Sequence, residues 1–149
     1  MKRGGIMGFE DVIDMVLSLM TEYGLASESG YEDFVSDMAI RINMVIARAQ
    51  IPELSYDTNF EGLNRTVTVM EATIIAYGLL MMWLSPKVNN SEVLGAQLTS
   101  KEITSFSNAN RIQQIMSLYK LVKTEFYQMV IDYDFLQQKA EVMKDLEDW

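Results

Sequence analysis

The chain has no cysteine and no histidine among its 149 residues. Those two absences exclude disulfides, thiolate nucleophiles, Cys/His metal sites and the imidazole that serves most enzymes as a general base. Proline occurs twice and glycine eight times, with no long Ser/Gly or Pro tract, which argues against disorder and against turn-rich sandwich folds. Positive charge is scarce too: 12 basic against 21 acidic residues give a net charge of −9. A surface of that sign repels phosphate backbones, so nucleic acid is a poor candidate for a ligand. No P-loop, GxGxxG, GxSxG or HExxH pattern occurs, and repeats and low-complexity tracts are missing. What is there is a chain 49% apolar, enough for a real core and of one domain's length. Nothing in it points to an enzyme or to a cofactor.

Helical periodicity dominates. Lys2-Arg3 near the start is followed by Glu10, Asp11 and Asp14, which break any apolar stretch, so no signal peptide is read there. The spacing of Phe9, Val12, Ile13, Val16, Leu17, Met20 and Tyr23 predicts a first helix, with acids in its first turn and Gly24 at its C-terminal cap. A second helix presents Phe34, Val35, Met38, Ile42, Val45, Ile46 and Ala49 to the core and is bounded by Pro52. Residues 50–64 lose the period and read as a loop that packs through Leu54, Tyr56 and Phe60. A third helix, from about Arg65 to Leu84, is apolar nearly all round and is expected to be the most buried. Its Val67–Leu84 stretch approaches the length of a membrane span, but Glu71, the threonines 66, 68 and 73 and three amphipathic neighbours favour a buried core helix. Ser85-Pro86 is expected to stop it, with a short helix through Val93, Leu94 and Leu98 after it and a polar segment over 99–110.

From Ile112 onward, apolar residues recur at Ile115, Tyr119, Val122, Phe126, Met129, Tyr133, Leu136, Ala140 and Met143, in alternating steps of three and four. That is a heptad seam. A helix from there to Trp149 would reach roughly 55 Å, longer than the rest of a small chain can cover. Part of it is therefore expected to pack on another chain, and the amphipathic end with Met143, Leu146 and Trp149 suits a partner's groove. The carboxylate pairs Asp33/Asp37, Glu10/Asp14 and Asp132/Asp134 lack the Gly-rich turn of a calcium loop and read as solvated helix acids. Of the 12 methionines, Met70, Met81 and Met82 are expected in the core, while Met129 and Met143 suit core or interface equally.

The stretch Met82-Trp83-Leu84-Ser85-Pro86-Lys87-Val88-Asn89-Asn90, then Phe106-Ser107-Asn108-Ala109-Asn110 and the long helix from Arg111, resembles the neck proteins of tailed bacteriophages. The likeness covers about residues 73–134. It implies a small, non-catalytic head-to-tail connector or adaptor: a virion structural protein, assembled in the host cytoplasm, that joins a portal vertex to tail components. In that group the subunits form a homo-oligomeric ring, usually of twelve copies, through which DNA passes without specific binding. Carried onto this chain, portal docking falls on Phe135, Leu136, Met143, Leu146 and Trp149, within a C-terminal segment of about 134–149. Contact with a neighbouring subunit or the next ring falls on Pro86, Val88, Ile103, Phe106, Tyr119 and Phe126. A net negative ring is compatible with that role because it lets a polyanion slide.

The expected architecture is all-α: one domain over residues 1–149, with a bundle of about three core helices spanning about 8–130 and a long C-terminal helix. Two other readings remain open from the residues alone. One is a cellular adaptor acting through its coiled-coil-like C-terminal helix; the other is a small membrane-associated protein using residues 67–84.

Overall fold

A computed structural model describes the backbone of residues 6–27, 29–97 and 102–147, and the side chains of all of these except Ile6, 89–97 and 102–109. The architecture is all-α with minor strands, and the described residues form four helices, α1 (Phe9–Glu22), α2 (Tyr31–Ala49), α3 (Val69–Gln97) and α4 (Glu102–Glu147). α3 is central: α1, α2 and α4 all pack on it. It buries Ala72, Ile74, Ile75, Ala76, Leu79, Leu80 and Leu84 completely, which explains why its sequence shows no polar face. By length and composition Val69–Val88 could cross a membrane; in this fold 61% of that window is buried inside the protein.

α1 and α2 begin and end where the sequence expects. The Asp11 carboxylate accepts the Gly8 N–H at 2.9 Å. At its other end Gly24 takes the left-handed conformation (φ 70°), and the Leu25 N–H reaches the Met20 carbonyl while the Gly24 N–H reaches that of Thr21. This double closure satisfies two carbonyls that the helix leaves open. Gln50 closes α2 in the same left-handed region (φ 55°), a conformation glycine would adopt with less strain.

The connection between α2 and α3 is more ordered than its composition suggests. β2 (Tyr56–Asp57) and β3 (Gly62–Leu63) form a short antiparallel hairpin, while β1 (Ile6–Met7) pairs with β4 (Val67–Thr68) ahead of α3. Asn43 on α2 holds the hairpin by exchanging two hydrogen bonds with the Tyr56 backbone. Asn64 accepts the Ser55 N–H and donates to the Glu53 carbonyl. Leu54 and Tyr56 enter the core as expected, with the Tyr56 ring 4.7 Å from that of Phe9. Phe60 does not: at the hairpin tip it is 84% exposed.

Pro86 does not end the third helix. α3 runs through it to Gln97, so residues 93–97, expected as a separate short helix, are its last turns. A proline in a helix lacks the N–H that would bond the carbonyl four residues earlier, here that of Met82. Arg41 of α2 supplies the missing donor: its Nη1 lies 3.0 Å from the Met82 oxygen. Asp37 holds the same guanidinium at 3.1 Å. The final helix is also longer than expected, beginning at Glu102 rather than near residue 110 and running for 46 residues, roughly 70 Å.

Candidate interaction surface

The long helix is attached along its seam. Val122 and Phe126 are fully buried, Tyr133 nearly so, and Ile115, Tyr119 and Met129 are half-buried against the core. Gly78 on α3 makes room for the closest approach. A Cβ there would meet Phe126 Cε1 at 2.7 Å and would also collide with Val45 Cγ1. Phe126, expected at a subunit contact, is therefore a core residue, because its ring fills the space left by a missing side chain.

A buried polar node anchors α4 at its last core position. The Glu71 carboxylate is 4% exposed and accepts four hydrogen bonds. Arg65 gives two, at 3.1 and 3.0 Å, the Thr68 N–H gives one at 2.9 Å and the Tyr133 hydroxyl gives one at 2.7 Å. The Glu71 N–H in turn donates to Thr68 Oγ1, so Thr68 and Glu71 form a reciprocal cap at the start of α3. Arg65 is fixed by the Pro52 and Thr66 carbonyls. Burial pushes the Glu71 carboxyl upward, but the four donors outweigh it and hold the group at about 2. Tyr133 moves the other way, pushed up to about 12 by burial and by the bond to Glu71.

Past this node the helix leaves the bundle. Every residue from Asp134 to Glu147 is exposed, an arm of about four turns. Ile131, Phe135, Leu136, Val142, Met143 and Leu146 stand on or at the base of it as large exposed apolar groups. Such a concentration on one solvated element marks an interaction surface. Four of the five residues expected to dock on a partner lie here, while Trp149 falls outside the described residues. Ile131 and Val142 belong to the same surface and were signalled in the sequence by steps of four, seven and four through Ile131, Phe135, Val142 and Leu146.

The second expected set is described only in part. Pro86 is exposed and Tyr119 half-buried, but Val88 is 9% exposed and Phe126 fully buried. These two serve the chain's own packing instead of a neighbour. The side chains of Ile103 and Phe106 lie outside the described ones. Of the two methionines that suited either role, Met129 packs against the core and Met143 is 52% exposed.

Elsewhere, an open groove of about 570 Å³ runs between α1, α2 and the hairpin, with Phe9, Ile13, Val35 and Tyr56 in its lining and Glu10, Glu32 and Glu61 beside them. Among the described residues no basic side chain lines it. Among the described residues no group of three or more Asp, Glu, His or Cys is placed to hold a metal ion. Compared with known protein families, curated proteins and solved structures, the chain matches none.

Proposed function

We propose that this protein is a structural component of the neck of a tailed-phage particle, forming a ring that links the portal vertex to tail components. The observation that carries the reading is the arm. A four-turn helix with five large apolar groups in solvent, and Ile131 at its base, adds nothing to the packing of the fold it leaves, and burying each such group is worth about 1.5 to 3 kcal/mol. The likeness of residues 73–134 to phage neck proteins supplies the context, and the net charge of −9 suits a ring whose lumen must not hold DNA. In this reading the protein works by shape and contact, with no catalytic step.

Truncation after Asp134 tests it. The node at Glu71 and the core seam end at Tyr133, so the shortened protein is expected to keep its melting temperature and helical signal yet fail to co-sediment with portal-bearing heads. Losing several anchors weakens such a contact by orders of magnitude. Undiminished co-sedimentation would sink the docking role, and collapse of the helical signal would mean that the arm belongs to the core.

A further inference from the structure

The groove between α1, α2 and the β2–β3 hairpin shares no lining residue with α4. Phe9, Ile13 and Tyr56 are buried and form its floor. On the wall that α2 supplies, Tyr31 is 58% and Ile40 81% exposed, two large apolar side chains left in water. Asn43 fixes the hairpin wall through the Tyr56 backbone, so the groove stands ready before anything enters it and binding orders little of the protein. Its volume of about 570 Å³ suits a few large side chains.

Three carboxylates surround this apolar lining: Glu10 on α1, Glu32 on α2 and Glu61 on the hairpin. All three are exposed, and among the described residues none has a hydrogen-bond or ion-pair partner. Helix dipoles account for acids in the first turns of α1 and α2, where Glu10 and Glu32 stand. They do not account for Glu61, which lies on a hairpin with no such dipole to meet. We infer that the groove binds a short cationic segment of another protein. One or two large aliphatic or aromatic side chains enter it beside Ile40, while lysines or arginines on the flanks meet Glu10, Glu32 and Glu61. A second copy of this chain, at net charge −9, a nucleic acid or an anionic membrane brings the wrong sign. The chain's own Lys2-Arg3 pair is the rival occupant. None of this rests on the arm or on the neck reading.

Fluorescence anisotropy tests it with the full chain and a short labelled peptide of leucine and lysine. The parent should bind this peptide, bind a version with serine for leucine at least about tenfold more weakly, and ignore one with glutamate for lysine. Ile40→Ser should weaken binding about tenfold. Glu10→Gln with Glu32→Gln and Glu61→Gln should do the same and remove most of its dependence on salt. All four positions are exposed, so both variants are expected to fold, with circular dichroism as the check. An equal change of charge on the arm, Glu141→Gln with Asp145→Asn and Glu147→Gln, should leave the affinity within about twofold. Failure of the parent to bind, equal binding of the acidic peptide, full affinity in either groove variant, or a loss in the arm variant as large as that in the triple groove variant would each overturn the inference. Lys2→Ser with Arg3→Ser should change nothing; tightening of about tenfold would show that the chain's own segment fills the groove and would overturn the assignment to a partner.

Discussion

Replacing Tyr133 with Phe removes one hydroxyl and leaves the shape of the seam almost unchanged. That hydroxyl donates to Glu71 Oε2 at 2.7 Å from a side chain only 5% exposed, and a buried hydrogen bond to a charged group is worth about 1.5 to 3 kcal/mol. Glu71 keeps its three other donors, so the expected loss is about 2 kcal/mol rather than the full penalty of an orphaned carboxylate. The loss should also depend on pH. The folded state depresses Glu71 from 4.5 to about 2, which contributes roughly 3 kcal/mol of stability at neutral pH. Because the folded value is the lower one, this contribution is complete above about pH 4.5 and disappears as pH falls toward 2. Tyr133→Phe raises the folded Glu71 value, so less stability is lost on acidification and the gap between variant and parent narrows. At alkaline pH the parent additionally loses the stability that rests on Tyr133, which is neutral in the fold up to about 12 and ionises more easily in the unfolded chain. Urea denaturation of both proteins from pH 7 to pH 3 measures the effect. A difference below about 0.5 kcal/mol at pH 7, or one that does not shrink in acid, would refute the role assigned to the node.

Two further substitutions probe the core. Ile75→Asp places an unpaired charge at a fully buried position of α3, a cost of several kcal/mol that approaches the whole net stability of a small protein. The variant should be unfolded by circular dichroism, and melting within a few degrees of the parent would mean that α3 is not the stability core. Gly78→Ala adds a methyl that meets Phe126 at 2.7 Å and also collides with Val45, so overpacking should cost about 1 to 3 kcal/mol by denaturant titration. An unchanged midpoint would mean that α3 and α4 are less tightly apposed at this point.

What could be read from the residues was local and periodic. Steps of three and four marked α1, α2 and the α4 seam, and Gly24 and Pro52 marked the ends of the first two helices, because those signals act within a turn or two of chain. The exposed arm was legible for the same reason: the seam outruns what a small bundle can cover. Pro86 misled because the rule that proline ends a helix assumes no outside donor, and Arg41 reaches the Met82 carbonyl from α2. Phe126 misled because a seam position on α4 can face its own bundle or a neighbour. The choice was made by Gly78, on another helix and 48 positions away. The Glu71 node was half visible. Thr68-x-x-Glu71 has the spacing of a reciprocal cap, but Tyr133, its fourth donor, is 62 residues away and no local pattern joins the two.

The neck role itself is tested most directly by imaging tailed particles from cells that produce this chain carrying a small electron-dense tag. A ring beneath the portal predicts label at a single vertex, between head and tail, in every complete particle. Label spread over the shell, or particles without it, would contradict the assignment.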